Sequence, residues 1–156
     1  MEPFGRKLIV IVASGAGIGF SPYCPGTLGT LVAVPVSLMI NRLAQTAPVI
    51  ALAVLAALIL SAIALAGEAA RALQLKDPQV VVIDEIAGFA VANFLSYGVD
   101  GLVAAFVLFR FFDIGKVFPI ARLEALPGGA GIVLDDVMAG IYTFMIVRLL
   151  LWIGLL

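Results

Sequence analysis

The sequence predicts an all-α protein, a small multi-pass helical membrane bundle in which some helices are short or re-entrant. Three observations carry that prediction. The 156 residues are 63% hydrophobic and only 12% charged, with a mean hydropathy of +1.22, far from the balance of a soluble domain. Val49 to Ala66 runs without a charge and approaches the roughly 20 residues that a spanning helix requires. The acidic residues gather at the ends of apolar segments, and none falls within Leu28 to Ala66. The length predicts a single domain over residues 1–156.

Composition also excludes chemistry. The formal net charge is -1, with no basic stripe, so nucleic acid is not an expected partner. The one cysteine, Cys24, rules out an internal disulfide and leaves the redox compartment open. There is no histidine, which removes phosphohistidine chemistry, Ser-His-Asp relays and imidazole zinc sites. A cysteine phosphatase needs an arginine six positions after its nucleophile, and Thr30 stands there. Hydrolysis by this chain must rest on carboxylates, a metal ion and basic side chains.

Each segment follows from local signals. Met1 to Phe20 has a leader-like start, with Arg6 and Lys7 before an apolar run, but that run dissolves into Gly15, Gly17 and Gly19 without a convincing cleavage site, so it is expected in the mature chain. The same stretch mimics a dinucleotide fingerprint, yet Phe20 occupies the third glycine position and Pro22 and Pro25 interrupt the helix that should follow. SPYCPGTLGT is a turn in which Thr27 or Thr30 is expected to cap a helix beginning near Leu28; free N–H groups and hydroxyls there make a natural phosphate cradle. That helix runs to Ile40, with a kink expected at Pro35.

After the span at Val49 to Ala66, Glu68, Arg71, Lys76 and Asp77 are expected in a polar loop. VVVIDEIAGFAVANFLSY could begin as a buried strand, but Gly88 and Ala92 lie four and eight residues beyond Asp84 and give the small-residue face of a closely packed membrane helix. Ser96 to Gly101 reads as a turn and a second apolar helix starts near Leu102; both helices look shorter than a full crossing. Arg110, Asp113 and Lys116 recur every three residues and should share an arc of roughly 120°, with one carboxylate between two cations. In GGAGIVLDDVMAG, a turn of Gly128, Gly129 and Gly131 is expected to open the last helix, with Asp135 as its cap and Asp136 at its positive end as the simplest reading.

The arrangement of charge supplies a second reading. With Arg6 and Lys7 in the cytoplasm and the apolar segments alternating, the Arg71/Lys76 loop and the Arg110 to Arg122 region also fall inside. Thr27 and Thr30, Asp84 and Glu85, Asp113, and Asp135 and Asp136 then meet at one membrane boundary. Three separated carboxylate groups at one depth look like a divalent-metal site, and their hard oxygens favour Mg²⁺ over zinc.

SGAGIGFSPYCPGTLGTLVAVP, VIDEIAGFA, FRFFDIGKVFP and GGAGIVLDDVMAG occur in the order and spacing of bacterial phosphatidylglycerophosphatase A, and the chain resembles that family from about Ser14 to Ile141. The resemblance implies a small helical Mg²⁺-dependent membrane enzyme that removes the terminal phosphate of phosphatidylglycerophosphate, with its site at the cytoplasmic face of the bacterial inner membrane. It matches Asp84, Glu85, Asp113, Asp135 and Asp136 to the family's acidic positions, Arg110 and Lys116 to its basic ones, and Pro25, Gly26, Thr27, Gly29 and Thr30 to its Pro-Gly-Thr motif. Where that family often has Lys-Pro-x-Pro, this chain reads Lys116-Val117-Phe118-Pro119. On this reading Asp84 or Asp136 is the candidate general base or acid, and Arg110 and Lys116 neutralise the phosphoryl group. Two rival classes use similar residues. A small cation or proton transporter, or an accessory subunit of one, would step its acids through the bilayer, which this chain does not. A CDP-lipid transferase would carry Asp-Gly and Ala-Arg together in one helix, a pattern missing here. The sequence leaves monomer and homo-oligomer equally open.

Overall fold

In hydrocarbon every backbone N–H and C=O must find its partner inside its own segment, and for a chain this apolar the solution is the helix. The computed structural model describes Pro3 to Leu156, with side chains from Phe4 onward; Met1 and Glu2, where the leader-like stretch begins, lie outside the described residues. The described residues form helices and no strand: α1 (Pro3–Ala13), α2 (Pro25–Thr46), α3 (Pro48–Leu73), α4 (Ile83–Ala92), α5 (Gly98–Gly115), α6 (Ile120–Leu123) and α7 (Gly129–Trp152), with a short 3-10 turn at Ile18–Phe20. Three of these, α2, α3 and α7, are long and apolar enough to cross a membrane. The protein is an all-α membrane bundle.

Several boundaries differ from those expected. α2 starts at Pro25, whose fixed φ and missing N–H suit the first helical position, so Cys24 and not a threonine stands at its N-cap. The helix continues through Pro35 to Thr46. Glu68 and Arg71 belong to the last turns of α3 instead of a loop, pairing at 2.7 Å on its exposed face. α5 begins at Gly98, inside the stretch expected to be a turn, and its 18 residues rise about 27 Å, close to a full crossing. The strand alternative for Val80 to Ile83 is not realised; the helix begins at Ile83. In the glycine-rich stretch only Gly128 lies outside α7, so Asp135 and Asp136 sit two turns into the helix and neither caps it.

α7 is the hub and packs against α3, α4, α5 and α6. Its crossing with α4 is made possible by glycine. A Cβ at Gly88 would stand 2.7 Å from the backbone oxygen of Asp136, and Gly140 lies against the carbonyl of Gly88 in the same way. Ala92, fully buried, continues this small-residue face. A second close approach joins α3 to the start of α7, where a Cβ at Gly129 would come within 2.6 Å of the Gly67 nitrogen. Close backbone approach through small residues is how membrane helices gain dispersion contact without a hydrophobic driving force.

α4, with 10 residues, rises only about 15 Å and ends inside the bundle. Its C-terminal turn needs polar partners at membrane depth, and α2 supplies them. The Asn41 amide donates to the carbonyls of Asn93 at 2.7 Å and Ser96 at 2.9 Å, and its Oδ1 accepts the Leu95 N–H at 2.8 Å. Asn93 in turn donates to Ser37 Oγ at 2.9 Å. α4 and α5 thus form a hairpin that enters and leaves at one pole of the bundle. Asn41→Leu should leave the Ser96 carbonyl and the Leu95 N–H unpaired, while the Asn93 carbonyl keeps the Ser96 N–H, costing on the order of 1–3 kcal/mol for each unpaired buried group. The check is the thermal unfolding midpoint in detergent, which should fall; an unchanged midpoint would mean that the hairpin turn is held by packing alone.

Candidate active site

The hairpin and the two glycine crossings bring four helix ends to one pole. A cavity of about 360 Å³ opens there, walled by Pro25 and Gly26 of α2, the 77–81 loop, Asp84 and Glu85 of α4, the end of α5, and Ile132, Asp135 and Asp136 of α7. Three carboxylates meet in it: Asp84, Glu85 and Asp136 each offer an oxygen, all within 4.8 Å of one another. Their placement follows from the packing. Asp84 and Glu85 occupy the first turn of α4, and the contact of Gly88 with Asp136 sets α7 beside them.

The other two expected acids are held differently. Asp113 accepts from Arg110 Nη1 at 2.5 Å, one helical turn away, and Asp135 accepts from Lys116 Nζ at 2.7 Å. Of the expected arc of Arg110, Asp113 and Lys116, the Arg110–Asp113 pair forms and Lys116 departs from it. Lys116 caps α5 in the left-handed region at φ 43°, which takes it off the helical repeat and sends it across to α7 and to Glu124, 3.1 Å away. Burial lowers the affinity of the Lys116 ammonium for its proton, but hydrogen bonds and charge from Asp135 and Glu124 outweigh it and hold its pKa above the ordinary lysine value.

Arg110 is the second organiser. Besides Asp113 it reaches Glu85 Oε1 at 3.9 Å and Thr30 Oγ1 at 3.4 Å, and Thr30 donates to the Gly26 carbonyl at 2.9 Å. Gly26 lies so close to Glu85 and the Arg110 guanidinium that a Cβ there would enter the space of both. Gly29 makes the adjoining approach, with Val82 Cβ 2.8 Å from where its own Cβ would be. Of the Pro-Gly-Thr motif, Pro25 and Gly26 line the cavity, Gly29 and Thr30 support it from behind, and Thr27 falls outside its lining.

Six carboxylates line this cavity, Asp77 among them, against two cations, Arg110 and Lys116, a formal balance of four negative charges. Asp84 Oδ1, Glu85 Oε2, Asp135 Oδ1 and Asp136 Oδ2 are buried oxygens without a hydrogen-bond partner, as is the donor Arg110 Nε. Unpaired buried oxygens of one sign, close together, demand protons or a cation. Sequence reasoning missed Glu124, the second partner of Lys116, and the cavity wall formed by Asp77 and Gln79. The isolated Glu124 carried no spacing signal, and the wall residues read only as loop.

A helical membrane protein with a histidine-free, oxygen-lined acidic cavity and an adjacent guanidinium has the equipment to hold a phosphate and not that of an acyl-transfer relay. The chain belongs to the phosphatidylglycerophosphatase A family, whose model matches residues 11–151. With that membership it is a membrane enzyme of the phosphatase class. A Bacteroides thetaiotaomicron protein named "Putative phosphatidylinositol-3-phosphatase" is 36% identical over 94% of this chain and 95% of its own length. The phosphatidylglycerophosphatase A of Haemophilus influenzae is 34% identical, covering 89% of this chain and 86% of the relative, and that of Escherichia coli is 31% identical, covering 84% and 76%. No solved structure gives a significant match.

Because Gly26 leaves no room for a side chain, Gly26→Val should push the Glu85 carboxylate and Arg110 apart. Misplacing site groups by about 1 Å costs on the order of 10²-fold in turnover. Phosphate release should fall by that order while the protein stays folded in detergent; wild-type turnover would show that the Gly26 contact is not needed for activity.

Proposed function

We propose that this protein hydrolyses the terminal phosphate monoester of phosphatidylglycerophosphate, giving phosphatidylglycerol and inorganic phosphate, with Mg²⁺ as cofactor and at the cytoplasmic face of the membrane. The observation that carries the reading is the set of unpaired carboxylate oxygens of Asp84, Glu85 and Asp136 beside Arg110. Family membership supports the reaction class, and the phosphatidylglycerophosphatase A relatives support the substrate.

The donor set fits Mg²⁺: it is all oxygen, carries excess negative charge, and its partnerless oxygens are clustered. Asp84, Glu85 and Asp136 would hold the ion, with Asp113 and Asp135 lining the same cavity. When bound, such an ion supplies Lewis-acid polarisation of a phosphoryl oxygen and a water acidified toward neutral pH. The side chains do the rest. Arg110, with its free Nε–H, binds phosphoryl oxygens and neutralises the charge that spreads over them in the transition state. Asp113 fixes the guanidinium in place for that task. Lys116 adds a second positive charge while keeping Asp135 neutralised. One carboxylate, Asp84 or Asp136, takes the proton of the attacking water; the water oxygen joins phosphorus as the bond to the glycerol oxygen breaks, that oxygen takes a proton from solvent water, and the carboxylic acid returns its own proton to solvent.

Orientation is supported by charge. Arg71, Lys76, Arg110, Lys116 and Arg122 lie at the cavity pole, and Arg6 and Lys7 on α1 pack beside the end of α3 at that pole. Arg42 and Arg148 are at the opposite pole, so seven of the nine basic residues share the side of the cavity. By the positive-inside rule that side is cytoplasmic.

A second substrate, a phosphoinositide monophosphate, is favoured by the name of the Bacteroides relative, which covers nearly the whole chain. The deciding assay is phosphate release by detergent-purified protein from each lipid, with Mg²⁺ and then with EDTA. The expected outcome is metal-dependent release from phosphatidylglycerophosphate, at least about tenfold faster per unit of substrate than from the phosphoinositide, and none from Asp84→Asn or Asp136→Asn. Release that survives EDTA, or full turnover in both variants, would overturn the proposed site; a preference for the phosphoinositide would replace the substrate.

A further inference from the structure

A lipid phosphatase must bring a headgroup to its site while the acyl chains stay in hydrocarbon, and the shape of this cavity indicates where they lie. α2 and α5 both pack on α4 but share no extended interface with each other. What joins them at the cavity pole is the Arg110 guanidinium, which lies against Gly26 and reaches Thr30 Oγ1 at 3.4 Å. α7 and the 77–81 loop form the remaining walls, with Asp77 and Gln79 of the loop exposed. At the end of α5 the cavity reaches the outer surface of the bundle, where a lining residue of that helix is also exposed.

Ile114 stands at that edge. It lines the headgroup cavity and is also 70% exposed, whereas the other apolar wall residues Val81 and Ile132 are buried. From Ile114 an apolar stripe runs down α5 through Phe111, Val107 and Val103, each more than half exposed. The spacing of four, four and three keeps them on one face. The eleven steps from Val103 to Ile114 rise about 16 Å, roughly half of the ~30 Å hydrocarbon core and so the depth of one leaflet. The stripe begins at the cavity mouth and ends near mid-membrane.

We infer that the cavity edge at Ile114 is the entrance for substrate and that the stripe Ile114, Phe111, Val107 and Val103 is a binding track for one acyl chain of a phosphomonoester lipid, drawn sideways from the leaflet that faces the cavity. This rests on the lipid phosphatase reading given above. Continuity separates the track from ordinary lipid-facing surface: Ile114 belongs at once to the polar cavity and to the apolar stripe, so a lipid whose phosphate is at Arg110 has its chain laid along α5.

The test compares dioleoyl and dibutyryl phosphatidylglycerophosphate in mixed micelles. The double substitution Phe111→Ser with Val107→Ser should lower the ratio of long-chain to short-chain kcat/KM by about tenfold, equivalent to about 1.4 kcal/mol and within what burial of one such side chain supplies. Leu52→Ser, at an equally exposed position on α3, should leave the ratio unchanged. A second measurement does not depend on turnover: a phosphatidylglycerophosphate with a photoactivatable acyl chain should label the peptide spanning residues 103–114 above those of α2, α3 and α7. An unchanged ratio, the same fall in the α3 variant, or labelling spread evenly over the lipid-facing helices would overturn the track while leaving the phosphatase intact. Absence of release from both lipids by the unmodified protein would instead overturn the phosphatase reading, and the track with it.

Discussion

The rest of the structure depends on the approach of α4 to α7. Backbone meets backbone there because Gly88 and Gly140 have no side chains, and the contact partner of Gly88 is Asp136 itself. One turn of α4 before Gly88 are Asp84 and Glu85, so a single packing contact fixes the separation of all three clustered acids. Such a contact joins stability to function: side-chain bulk between the helices would separate the carboxylates as well as loosen the bundle. Asn41 serves the same geometry from the far end, where it satisfies the turn behind a helix that stops at membrane depth.

Charge is distributed unevenly over the cavity, and the pattern has a physical reason. Asp113 and Asp135 each have a cation of their own, Arg110 and Lys116. Asp84, Glu85 and Asp136 share only the distant edge of Arg110, which is 3.9 Å from Glu85. Like charges in a buried site are costly unless something positive joins them. The two paired acids act as supports that hold the basic side chains, and the three clustered acids are left with capacity for an external cation. The sequence alone gives all five acids equal standing, because helical spacing cannot foresee that the backbone turns left-handed at Lys116 and redirects its ammonium to α7.

Much of the architecture was legible in advance. The uncharged run around Val49 to Ala66 and the small-residue spacing of Asp84, Gly88 and Ala92 identified α3 and α4 by elementary periodicity, and alternation of the apolar segments placed Asp84, Glu85, Asp113, Asp135 and Asp136 at one pole. What local reasoning missed lay in the glycines and the cap residues. Gly129 and Gly131 looked like turn formers, yet they are helical, serving close contact with Gly67 and with the Leu126 carbonyl. Thr30 looked like a cap and is a buried support for Arg110, since Pro25 starts the helix a turn earlier. In each case a tertiary contact used a small or polar residue that local chemistry would assign to a helix end. Glu124, Asp77 and Gln79 could not be seen at all, because they approach the site only through loops.

The central claim is that Asp84, Glu85 and Asp136 form one cation site and that Asp135 is committed to Lys116. It is tested most directly by titrating Mn²⁺, followed by its paramagnetic resonance, into the detergent-purified protein at neutral pH, with Mg²⁺ as competitor. The account predicts one saturable class of Mn²⁺ displaced by Mg²⁺, weakened at least about tenfold, or ~1.4 kcal/mol, in Glu85→Gln, and retained in Lys116→Met. Binding untouched by Glu85→Gln, or lost with Lys116→Met alone, would contradict it.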